Sequence, residues 1–255
     1  MKSKFILFLT CTVFCFVSCR GNKTSSDTKT GISVVATNSW TAAYAQAAGA
    51  ENVVILASID MDHPSEYELR PSDIPKLMNA TVIVYAGYEV MTERLQKGLG
   101  INPDKLFLVN TAYSYEIIEK SVMDLAVRLG TERIASENLL EIRRVFDNGR
   151  KTVEENNMLG LPVVVHFFHS HLSHELGLVP VIIFGPEAPE ASHILSVSKT
   201  NVSVILDNIH NPVGQSFKEV LPHTLYKQLL NFPGHQGTHT LSDVIRYNIS
   251  LIVSD

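Results

Sequence analysis

Histidine is the residue type through which this sequence could do chemistry. There are ten, and nine of them lie from His166 onward. His63 sits in Asp60-Met61-Asp62-His63-Pro64, just past a β-rich run, and His166 ends the apolar run Val163-Val164-Val165. Neutral imidazole is the common protein ligand for zinc and related divalent ions. A cation held this way competes with protons, so its affinity should fall as pH drops toward the ordinary histidine pKa of about 6.5. His169, His171, His174 and Glu175 offer a second option, because His171, His174 and Glu175 share one face of a helix. A solvated polar face is the simpler reading of that trio. No nucleophile elbow, phosphate loop or paired-carboxylate motif is present, which speaks against an enzyme. A net charge of -5 leaves no basic footprint for nucleic acid.

The elements that must position these histidines follow from the hydrophobic pattern. Short β-rich runs at 31–37, 53–59, 81–85 and 106–109 alternate with helical stretches at 40–50, 71–78 and 91–97. From 115 to 159 there is no strand signal. Leu139, Leu140, Ile142, Val145, Phe146 and Val153 instead form a helical stripe, which predicts one long helix with a kink at Asn148-Gly149. The alternation then resumes, with strands at 161–165, 179–184 and 202–206 and helices at 166–177, 188–200 and 241–252. Strands alternating with helices imply parallel sheets. The fold class is therefore α/β, with two Rossmann-like lobes joined by a long backbone helix. The segments are an N-terminal lobe at 31–114, a connecting helical segment at 115–159 and a C-terminal lobe at 160–255. Ligands of open α/β sheets bind outside the carboxyl ends of the strands, which is where His63 and His166 fall.

The start of the chain has a different character. Lys2 and Lys4 precede an apolar run from Phe5 to Val17, too short for the about 20 residues that span a bilayer. This is the pattern of a signal peptide over 1–19. Its end, Phe16-Val17-Ser18-Cys19, resembles the lipobox of bacterial lipoproteins, which implies export and a lipid anchor on Cys19. All three cysteines lie in this segment, so a mature chain keeps no pair for a disulfide. Residues 20–30 are polar and read as a flexible tether.

Longer matches carry a family resemblance. Val34-Val35-Ala36-Thr37, the stretch from Asp62-His63-Pro64-Ser65-Glu66-Tyr67 to Arg70-Pro71-Ser72-Asp73-Ile74, and Ala80 to Glu89 resemble the zinc/manganese solute-binding proteins of ABC importers. Pro186 to Ser192 and the closing Gly237-Thr238 with Asn248 extend the resemblance over most of 31–255. It implies a monomeric receptor that captures a divalent metal ion, zinc or manganese, between two lobes and delivers it to an ABC permease. His63 and His166 map to metal-binding histidines of that family. A further family histidine has no counterpart in Asn110-Thr111-Ala112-Tyr113-Ser114-Tyr115-Glu116, and Asn231 holds the place of a carboxylate. Glu66, Glu116, Asn231, His235 and His239 are the candidate replacements, giving a working set of His63, His166, His235, Asn231 and Glu66. Two missing ligands also suit a site for a metal chelate, a haem or a cobalamin-like ligand, or an adhesin whose metal site has decayed.

Overall fold

The computed structural model describes residues 33–254, so the expected signal peptide, the Cys19 anchor and the 20–30 tether lie outside the described residues. Two four-stranded sheets are built from short β-branched runs. The first uses β1 (Val34–Ala36), β2 (Val53–Ile55), β3 (Val82–Tyr85) and β4 (Leu106–Leu108) in the order β2-β1-β3-β4. The second uses β5 (Pro162–His166), β6 (Val179–Phe184), β7 (Val204–Asn208) and β8 (Leu225–Leu229) in the order β6-β5-β7-β8. Every pairing is parallel. Parallel neighbours need crossover connections, and helices laid on both faces bury the central strands β1, β3, β5 and β7 almost completely. In both sheets the chain steps outward from its first strand and then back across it. The switch points therefore fall between β1 and β3, and between β5 and β7, where connections leave in opposite directions and open a crevice.

The helices are α1 (Ser39–Ala47), α2 (Ile74–Asn79), α3 (Tyr115–Leu129), α4 (Glu132–Glu155), α5 (Ser170–Glu175), α6 (Ala191–Val197), α7 (Phe217–Val220) and α8 (Leu241–Val253). The segment between the sheets is two helices rather than the single one expected. Gly130 adopts φ 69°, closing α3 with a left-handed residue, and α4 restarts two positions later. The 24 residues of α4 make a rod about 36 Å long. The helix runs unbroken through Asn148-Gly149. Gly149 is instead the point where α4 is approached by its neighbours: a Cβ there would run into Ile249 Cδ1 of α8 and lie 3.0 Å from Leu176 Cδ2. Gly149→Val is expected to destabilise by about 2 kcal/mol through overpacking. A denaturation midpoint unchanged from wild type would refute that account.

Strand alternation divides the core. Val34, Val82, Val84, Val163, Val165, Val204 and Leu206 face one continuous core that also takes in α1, α3, α4 and α8. Val35, Ile83 and Tyr85 face a separate outer core, as do Val164 and Ile205 on the other sheet. The shared core ties both sheets into one unit over the described residues. Two elements depart from the expected pattern. The helix expected at 91–97 is a π-turn over Arg94–Gly98, and β8 occupies a stretch where no strand was expected. Among the described residues no helix is long and apolar enough to cross a membrane.

Candidate functional site

All four central strands deliver side chains to one cleft of about 270 Å³. Asn38 follows β1, Tyr88 follows β3, Phe168 follows β5, and Asn208 and His210 end and follow β7. His63 and Glu66, from the connection after β2, complete its wall together with Asn231.

On the first sheet, one buried carboxylate organises the floor. Glu89 accepts hydrogen bonds from Thr37 Oγ1 at 2.6 Å, Gly87 N at 2.7 Å and Ala86 N at 2.9 Å. This joins the end of β1 to the turn after β3 and fixes Asn38 and Tyr88 beside each other. Asn38 also caps α1, its side chain accepting from Thr41 N at 3.0 Å. His63 precedes a single turn of 3₁₀ helix (Pro64–Glu66) and is exposed, as is Glu66. The loop that carries them is anchored by buried Asp73, which accepts from the Tyr67 hydroxyl at 2.7 Å and from Arg70 N at 3.0 Å.

On the second sheet, burial governs the histidines. His166 is fully enclosed. Phe168 N donates to its Nδ1 at 3.2 Å, and the far side of the ring lies on Gly185, where a Cβ would stand 2.6 Å from Cδ2. Desolvation lowers its pKa to about 4. His169 is equally buried beside Asn208, and desolvation with the neighbouring His166 takes it to about 3. His210 stacks on Phe232 with ring centres 3.9 Å apart and stands 4.5 Å from the ring of His235. Burial, with His235 and His63 nearby, lowers His210 to about 3. The Nε2 atoms of His166, His210 and His235 and the Oδ1 of Asn231 are buried without a protein partner.

The structure thus brings His63, Glu66 and Asn231 to the cleft and sets His235 against its lining residue His210. His166 is not among the residues that line the cleft. Glu116 and His239 are exposed at the starts of α3 and α8. The His171, His174 and Glu175 trio is not a metal cluster. His171 and His174 are exposed, and Glu175 caps α3 by accepting from Ser114 Oγ at 2.9 Å and Tyr115 N at 3.0 Å. Among the described residues, no group of three or more His, Cys, Asp or Glu stands close enough to hold a metal ion unaided. In the stretch 110–116, where the resemblance leads one to expect a histidine, Tyr113 stacks on Trp40 at 5.6 Å and its hydroxyl donates to the Asn231 carbonyl at 3.1 Å. Sequence reasoning missed His210. The signal was available, because Asn208-Ile209-His210 leaves a strand in the same position that singled out His63 and His166.

Neither protein-family models nor curated proteins give a match to this chain. Solved structures do. The solute-binding protein FpvC of Pseudomonas aeruginosa, in complex with Ni²⁺, superposes with a TM-score of 0.68 at 17% identity over 88% of this chain and 96% of its own. A Mn-bound periplasmic metal-binding protein from Candidatus Liberibacter asiaticus gives 0.65 at 14% identity, covering 86% and 97%. A Zn(II)-bound variant of AdcAII from Streptococcus pneumoniae gives 0.63 at 14% identity, covering 88% and 98%. The chain has the fold of these metal-binding receptors.

Proposed function

We propose that this chain is an exported receptor that captures a divalent metal ion, zinc or manganese, in the cleft between its two sheets and delivers it to an ABC permease. A lipid on Cys19 and the 20–30 tether would hold it near that permease and raise the local concentration of loaded receptor. The observation that carries the reading is the convergence of four strand ends and of histidines from both sheets, His63 and His210, on one cleft. The shared fold supports it, since the neighbours named above are structures with bound Ni²⁺, Mn²⁺ or Zn(II). His63, Glu66, Asn231 and His235 are the ligands proposed from the original set. The cargo leaves as it entered, so no bond-making step is involved.

Titration of metal-free protein with zinc and manganese tests the reading directly. Binding clearly tighter than millimolar is expected, and nothing tighter would end it. His63→Ala should weaken binding by at least about tenfold, since even partners behind a metal ligand are worth 10- to 100-fold. Unchanged affinity in that variant would remove His63 from the site.

A second cargo is favoured by one feature. A larger aromatic groove of about 720 Å³ shares Trp40, Tyr88 and Phe168 with the cleft and reaches Phe107 and Phe167. A groove of that size and lining suits an organic molecule. A metal carried inside a planar chelate would place its rings there and supply the donors that the protein lacks. Absorbance of protein loaded with such a chelate separates the two: a retained chromophore supports it, and retention of bare metal alone dismisses it.

A further inference from the structure

We infer that the second sheet's contribution to the metal site is the His210–His235 imidazole pair with the Asn231 side-chain oxygen, in place of His166, and that the cargo is an imidazole-preferring cation of the zinc type. This deepens the receptor reading above and rests on it.

The argument begins with the proton on His166. Its Nδ1 accepts the Phe168 N–H, so Nδ1 carries the lone pair and Nε2 carries the hydrogen in the neutral ring. A metal at Nε2 would need the opposite tautomer, which would set Nδ1–H against the Phe168 N–H. The Nε2 side also faces Gly185, where an added Cβ would run into Nε2. His166 is held for packing.

His210 lines the cleft, which His166 does not, and His235 stands against it. The Nε2 atoms of His210 and His235 are buried without a partner, as are Asn231 Oδ1, the Nε2 of His166 and both ring nitrogens of His169. Buried polar atoms are rarely left so in a folded protein, and those of His210, His235 and Asn231, in one neighbourhood, point to a ligand. Their spacing fits the chemistry. Two imidazoles on one tetrahedral zinc, each at about 2.0–2.1 Å, place their ring centres about 5 Å apart. The His210–His235 separation is 4.5 Å, whereas His166 and His169 are 6.3 Å apart.

The scaffold holds the pair ready. Phe232 stacks on His210, and Asn208 Oδ1 accepts from His210 N at 3.4 Å. The His235 loop is closed by Thr238, whose N and Oγ1 donate to the His235 carbonyl at 3.0 and 2.7 Å. A two-histidine, one-amide half-site is short of the about four donors that zinc takes. Exposed His63 lines the same cleft as His210 and Asn231, and completes the shell from the first sheet when the ion arrives. A nitrogen-rich, carboxylate-poor shell selects zinc-like ions over manganese, which favours oxygen donors.

The test is calorimetric titration of the metal-free chain with zinc chloride and with manganese chloride. Zinc should bind well above manganese. The His210→Ala/His235→Ala double variant should lose at least about 100-fold in zinc affinity, while His166→Asn, which keeps an acceptor for Phe168 N, should stay within about threefold of wild type. Equal loss in His166→Asn, or undiminished zinc binding in the double variant, overturns the inference and leaves the receptor reading standing. Wild-type protein that binds neither ion overturns both. Ring ¹⁵N resonances of the wild-type protein give an answer that needs no folded variant. Zinc should shift those of His210 and His235 and leave the His166 tautomer unchanged, and the reverse pattern refutes the assignment.

Discussion

Lowering the pH of the metal-free protein from 7.5 to 5 is expected to remove about 6 kcal/mol of folding stability. The cause is three buried histidines held neutral, His166, His169 and His210, with pKa values lowered chiefly by desolvation to about 4, about 3 and about 3. In the unfolded chain the same side chains titrate near 6.5. The sign follows from proton counting. Below pH 6.5 the unfolded chain binds protons that the folded chain refuses, so stability falls as pH falls, until the folded rings themselves titrate. At pH 5 each histidine favours the unfolded state by about 2 kcal/mol relative to neutral pH, and three make about 6. That is a large share of the 5–15 kcal/mol by which a typical domain is stable. Urea midpoints measured with chelator present at several pH values would show it, as a slope corresponding to about three protons taken up on unfolding at pH 5. A midpoint that is flat from pH 7.5 to 5 would mean that these rings are not buried as neutral species.

How much of this was legible beforehand depends on how local each cause is. The stretch from His63 to Asp73 can be read from sequence because its logic is local: Tyr67 and Arg70 both bond Asp73 within six residues. The parallel sheets were legible too, since buried central strands need apolar runs. Two other features have no local cause. Gly130 and Gly149 both stand in helical surroundings, and a glycine costs either position about 1 kcal/mol relative to alanine. Only the approach of Ile249 to Gly149 and the left-handed turn at Gly130 decide which one breaks the helix. β8 escaped notice because Lys227 and Gln228 interrupt it. Its lysine reaches the carbonyls of Leu251 and Ile252 at the end of α8, a partner remote in sequence. The site divides in the same way. Strand-end position found His63 but could not reveal that His166 would spend its lone pair on Phe168 N. Nor could it reveal that His210 and His235, twenty-five residues apart, would meet edge to face.

Replacing Asp207 by alanine is expected to destabilise the fold by about 3–5 kcal/mol, although Asp207 touches no proposed ligand atom. Its carboxylate is fully buried at the end of β7. One oxygen accepts from Asn208 N at 2.8 Å, and the other from Gly214 N at 2.7 Å and from the Tyr226 hydroxyl at 2.5 Å. Burial raises its pKa, and the three donors oppose that rise. Hydrogen bonds to a charged group are worth about 1.5–3 kcal/mol each, and stranded buried donors cost about 1–3 kcal/mol more. Alanine loses the first and incurs the second at Gly214 and Tyr226. For a chain of this size the loss corresponds to a fall in Tm of about 10 °C. Asp207→Asn keeps one acceptor oxygen and should lose markedly less, which separates the lost hydrogen bonds from lost packing. The functional consequence follows from position. Asp207 holds the turn that leads through Asn208 to His210, so slack there spreads the His210–His235 pair. Zinc affinity in Asp207→Asn should therefore fall while His63, on the opposite sheet, still contributes its share. An alanine variant as stable as wild type would show that the β7 turn is held by its strand pairing alone, and that His210 owes its place to Phe232 rather than to this carboxylate.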